Sequence, residues 1–156
     1  MRTSGFRCMQ FRNARTLSTS FACLFVCLMS VGCFSSKEDA AKLDETKKIW
    51  TALPIYPGMQ ESYSSTTSGF GKALISKHFQ SKAGYEEVRR FYLDRLTQNG
   101  WKLSGEKQIK DWGRDFGGHE LYFRKGDFHI AIEYAGERAD YGWDYGISAG
   151  WTRWVR

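Results

Sequence analysis

The residue types suited to acid–base or metal chemistry are three histidines, His78, His119 and His129, and a nearby pair of glutamates, Glu120 and Glu133. Either chemistry requires such groups to converge. The runs His119–Lys125 and Phe128–Tyr134 flank Gly126-Asp127, a two-residue hairpin turn. That turn predicts a register in which Lys125 pairs with Phe128, Phe123 with Ile130 and Leu121 with Ile132. His119 and His129 then face opposite sides and share no site. Glu120 and Glu133 fall directly opposite each other, an arrangement that raises a carboxyl pKa or draws in a cation. His129, Glu133 and Glu120, beside Tyr122 and Arg124, form one candidate set for a hydrolase or metal-assisted enzyme. The alternative is a solvated sheet face whose charges do little. The chain has no G-x-S-x-G elbow, no phosphate-cradling glycine loop and no H-E-x-x-H. Asp111, Asp115, Asp140 and Asp144 lack the spacing of a calcium loop. The expectation is a non-enzyme without metal or cofactor.

The six tryptophans are the unusual feature. Alternation assigns Trp101 and Trp151 to a core. Trp112 falls in a glycine-bearing loop over Asp111–Gly118, and Trp143 lies within DYGWDYG beside Tyr141 and Tyr145. Trp112, Tyr141, Trp143 and Asp144 are the candidate ligand-binding residues. Exposed aromatics beside carboxylate and arginine stack sugar rings or dock a partner surface. The competing reading folds the same rings over the open end of a small core.

One helix must organise these strands. In GYEEVRRFYLDRLTQNGW, Tyr85, Val88, Phe91, Tyr92 and Leu96 form an apolar stripe of period 3.6. Glu86, Arg90 and Asp94 alternate in sign on the other side. Asn99-Gly100 supplies the stop, with Trp101 placed to pack back on the last turn. Before it lie β-like runs at Gln60–Thr66 and Lys72–Gln80, joined through Ser68-Gly69-Phe70-Gly71, with Ala73, Ile75 and Phe79 inward. After it come the Trp101–Leu103 strand with a break at Gly105, the hairpin, a loop over Gly136–Gly142, and a last strand from Tyr145 to near Trp154. On the hairpin, Leu121, Phe123, Phe128, Ile130, Ile132 and Tyr134 share the core side. The expected fold is α+β: an antiparallel sheet of about five or six strands in the order β-β-α-β-β-β-β, packed on one main helix.

The N-terminus is of another kind. Arg2, Arg7, Arg12 and Arg15 precede an apolar run, Leu17 to Val31, with no acid before Glu38. That is the pattern of a signal peptide, and the run is short for a membrane span of about 20 residues. The alternative is an uncleaved anchor. Ser30-Val31-Gly32-Cys33 resembles the lipobox of bacterial lipoproteins, in which the signal is cut before a cysteine that carries acyl chains. Gly32 and Cys33 match its strictest positions, and Ser30 departs from the usual leucine. The resemblance implies a lipid anchor on Cys33 and, in a Gram-negative cell, sorting to the outer membrane facing the periplasm. Met9 is an alternative start. All four cysteines lie in this leader, so no disulfide framework is expected in the domain.

Residues 1–32 are thus read as signal peptide, 33–48 as a polar spacer and 49–156 as a single domain. Ser36 with Asp39 could start a short helix in the spacer, with Leu43 and Trp50 on one side. Of 23 basic residues against 17 acidic, four arginines belong to the leader, leaving 19 against 17. That balance is no nucleic-acid footprint.

Tyr56-Pro57-Gly58, Phe91-Tyr92, Leu96 and Gly100-Trp101 resemble the "YPG … FY…L…GW" layout of small exported bacterial domains, often carried on lipoproteins. The resemblance covers most of Pro54–Trp154 and implies the fold without an activity. The sequence therefore points to a lipid-anchored envelope protein with a binding or accessory domain. A glycan- or cell-wall-binding module is the alternative.

Overall fold

The computed structural model describes residues 37–153. The expected leader, with Cys33 and the lipobox-like stretch, lies outside them, as does Trp154. Helix α1 (Lys37–Ala52) leads into strands β1 (Gln60–Gly69) and β2 (Lys72–Gln80). Helix α2 (Tyr85–Gln98) follows, then β3 (Lys102–Asp111), β4 (Arg114–Lys125), β5 (Phe128–Tyr134), a short 3-10 turn (Ala139–Tyr141) and β6 (Tyr145–Thr152). The strands form one antiparallel sheet in the order β1-β2-β6-β5-β4-β3. The α+β class and the antiparallel sheet agree with the sequence reading.

α2 is built as its residues require. Val88, Tyr92 and Leu96 are buried, while Glu86, Arg90 and Asp94 are exposed. Gly100 takes φ 79°, its N–H bonds to Thr97 O, and Trp101 N–H reaches Leu96 O. This double closure stops the helix and folds Trp101 onto the core. Arg89 grips Glu106 of β3 through two hydrogen bonds of 2.9 and 2.8 Å, and the Tyr85 hydroxyl donates to the same carboxylate at 2.9 Å. The Arg89 guanidinium holds the Glu106 carboxyl below its usual range.

The spacer expected over residues 33–48 is corrected in its described part. From Lys37 onward the chain is a helix packed on β1, β2 and β6, so the domain does not begin at residue 49. Composition hides this because polar residues form much of the contact stripe. Asp39 and Thr46 are buried, and Thr46 Oγ1 satisfies itself on Lys42 O at 2.8 Å. Lys42 extends its ammonium over the rings of Phe128 and Trp151. Ile49, Trp50 and Leu53 carry the stripe into the core.

The loop expected over Asp111–Gly118 is corrected to a hairpin. Asp111 pairs with Arg114, and Trp112 and Gly113 turn the chain with φ of 50° and 79°. Phe70-Gly71 makes a like turn, with φ of 52° and 73°. Both centres are left-handed, as in the tight turns that match strand twist. An aromatic at the first centre is an unusual choice, which is why the Trp112 turn reads as loop.

The β4–β5 register is the expected one throughout. Leu121, Phe123, Ile130 and Ile132 are buried beside Ala73, Ile75, Phe79, Tyr145, Ile147, Ala149 and Trp151. Both helices cover this one face, and among the described residues the other face is bare of any helix. The pairings also fix the two ends. Lys72–Thr152, Trp151–Phe128 and Arg124–Lys102 line up at one end, with the Phe70 turn. The Trp112 turn, the 135–144 segment and the start of β1 lie at the other. α1 starts at the Phe70 end, where Asp39 accepts from Gly71 N–H at 3.4 Å and Glu38 pairs with Arg153.

Candidate functional site

The bare face is shaped by what β6 lacks. Its outward residues are Gly146, Ser148 and Gly150. Neighbouring side chains close over them. A Cβ on Gly146 would stand 3.6 Å from both His78 Cδ2 and Glu133 Oε2. One on Gly150 would stand 2.8 Å from Leu74 Cδ1 and 3.2 Å from His129 Cε1. The middle of this face is therefore buried with no helix among the described residues above it.

Along the Trp112 end of this face runs a continuous stack of planar groups. Tyr63 of β1 meets His78 of β2 at 5.4 Å between ring centroids. His78 stacks on Trp143 at 4.5 Å, and Trp143 on Tyr141 at 5.0 Å. The Arg138 guanidinium lies 4.3 Å from the Tyr141 ring centre and 5.0 Å from that of Phe116. These six groups come from four separate segments. Offset and near-parallel pairs of this kind add attraction beyond area burial, and arginine over a ring adds more.

Charge and backbone hold the stack. Arg138 pairs with Asp140 at 2.7 Å and with Asp111 at the base of the Trp112 turn. The Asp140 carboxylate, then Asp111, raises the Arg138 pKa, and Arg138 in turn lowers that of Asp140. Burial lowers the His78 pKa, so this rung is a neutral ring at neutral pH. Gly136 takes φ 69°, and a side chain there would collide with the carbonyl of Phe116. Only glycine lets the 135–144 segment press on β4 this closely, with Glu137 N–H bonded to Phe116 O at 2.7 Å.

The four expected binding residues occupy one end of the molecule in different roles. Trp112 is 97% exposed at its hairpin tip. It lines a shallow depression of about 420 Å³ with Asp111, Arg114 and Phe116. Tyr141 and Trp143 are inner rungs of the stack. Asp144 is a latch: its carboxylate accepts from Ser81 N–H at 2.7 Å, and its backbone bonds Phe79 O and Ala135 N, each at 2.9 Å. Tyr63, Phe116 and Arg138 escaped sequence reasoning, and His78 entered it only as a candidate for acid–base or metal chemistry. His78 and Tyr63 become neighbours only through the β1–β2 register, and Arg138 gives no local signal.

The second candidate set divides. Glu120 and Glu133 do face each other. Burial, then the Glu120 charge, raises the Glu133 pKa, and Lys107 opposes this. Lys107 pairs with Glu120 at 2.7 Å and is the cation this carboxylate pair calls for. His129 lies four residues along β5 from Glu133, about 13 Å away at the usual strand rise. Burial and Arg124 lower its pKa. These three side chains do not meet. Among the described residues no group of three or more potential ligands is placed to hold a metal ion. No helix among them is long and apolar enough to cross a membrane.

Comparison with protein families, with curated proteins and with solved structures gave no match.

Proposed function

We propose that this is a lipid-anchored cell-envelope protein, tethered through Cys33, whose folded part is a non-enzymatic binding domain. Its working surface is the aromatic stack and the Trp112 tip. The observation that carries the binding reading is the stack itself: six planar groups from distant segments, ending beside a tryptophan left in solvent. Small domains rarely expose large aromatics together without a partner for them. The anchor reading rests on the basic, apolar leader ending in Gly32-Cys33. The described domain starts with α1 at the Phe70 end. In a Gram-negative cell the proposed place is the outer membrane, facing the periplasm.

Intact mass of the membrane-extracted protein, with and without globomycin, tests the anchor. A chain starting at an acylated Cys33 supports it, and a chain retaining the leader overturns it. Cys33→Ala should release the protein from the membrane.

A glycan- or cell-wall-binding module is the second reading, favoured by the depression that Trp112 shares with Asp111 and Arg114. Charged groups beside an exposed ring suit sugar hydroxyls. Trp112→Ala should abolish retention on cell-wall or lipopolysaccharide preparations. Unchanged retention removes this reading and leaves a protein partner.

A further inference from the structure

On the opposite side of the sheet, the C-terminal turns of α1 and α2 and the β4–β5 hairpin enclose a cleft of about 570 Å³. Ile49, Leu53, Leu96, Trp101, Phe128 and Ile130 form its apolar walls. The ionisable residues lining it are both lysines, Lys48 and Lys125. Lys125 is fixed at the rim, where its Nζ donates to Asn99 O at 2.8 Å. Two helix C-termini open toward the cleft, each worth about half a negative charge. Against two full lysine charges they leave the mouth net positive by about one charge. Clefts of this size, mostly apolar with a few polar groups at the rim, are the usual form of small-molecule sites.

We propose that this cleft binds a single-chain anionic amphipath of the fatty-acid class. The acyl chain lies against Leu53, Trp101 and Phe128, and the carboxylate sits between Lys48 and Lys125. The inference uses neither the anchor on Cys33 nor the aromatic stack, and it stands or falls separately from them.

The test uses the full chain, in whichever fraction it is recovered, and two photoactivatable probes. Both carry the same long alkyl chain with a diazirine; one ends in a carboxylate and the other in a quaternary ammonium. Peptides containing Leu53 and Phe128 should take up the carboxylate probe about 25-fold more than the ammonium probe, because one net charge at close range favours the first by about fivefold and disfavours the second by as much. Lys48→Glu with Lys125→Glu should reverse that preference. Ala52→Trp, at an exposed position lining the cleft, should fill it and remove labelling by both probes. Equal labelling by the two probes overturns the proposal. So does labelling no stronger than on the Trp112 peptide, or labelling that Ala52→Trp leaves unchanged in a variant with an unaltered melting curve.

Discussion

The two faces of the sheet are built on different terms. The covered face is apolar, local in its logic and closed by two helices; Leu121, Phe123, Ile130 and Ile147 have essentially no exposed surface. The bare face has polar and aromatic side chains that bury one another, over a strand reduced to Gly146, Ser148 and Gly150. Burial on the first comes from hydrophobic transfer, which scales with area. Burial on the second comes from stacking and charge pairing, which are individually smaller and depend on geometry. A single chain can thus spend its apolar residues on stability while leaving a structured face available for contact.

Phe123→Ala should produce the largest effect, a loss of about 3–5 kcal/mol in denaturant unfolding, because it deletes a fully buried ring beneath α2. A loss below about 1 kcal/mol would break the contrast between the faces. Gly136→Ala comes next, at about 1–3 kcal/mol, since it forces a left-handed alanine against the Phe116 carbonyl. It should also shift the emission of Trp143 as the stack opens. An unshifted spectrum would mean that the segment is held by something other than this contact.

Glu133→Gln should act in the opposite direction and more weakly. The raised Glu133 pKa means that the folded state binds the proton more tightly than the unfolded state, whose value is near 4.3. Stability is then lost as pH rises from there through the folded pKa. Removing the charge should raise stability at neutral pH by about 0.2–1 kcal/mol and flatten the melting-temperature profile across that range. A profile unchanged by the substitution would show that Lys107 already balances the pair. Trp112→Ala should change stability by less than about 0.5 kcal/mol, because its ring packs on almost nothing. Its whole effect should appear in binding.

Period carried most of the covered face. The stripe Val88, Tyr92, Leu96 and the Gly126-Asp127 turn each have a local cause, so register and core followed from them. α1 was legible as a short helix in a spacer but not as part of the domain, because its contact residues include Asp39, Lys42 and Thr46, which bury through partners elsewhere in the chain. The Trp112 turn was hidden because tryptophan is an uncommon left-handed residue. Of the candidate site, the loop aromatics were visible by type, but their company was not: His78 meets Trp143 across 65 positions of chain, counted from their numbers.

The sequence alone determined that a helix crosses an antiparallel sheet and which side chains of the hairpin face it. It also placed every cysteine within the first 33 residues. Those features depend on spacing within a few residues, where chain geometry leaves little choice. The tertiary structure decided that both helices lie on one face, that α1 belongs to the domain, and that Tyr63, His78, Trp143, Tyr141, Arg138 and Phe116 form one stack. Stacking is short-ranged and indifferent to chain order, so it exists only once distant strands have been brought into register.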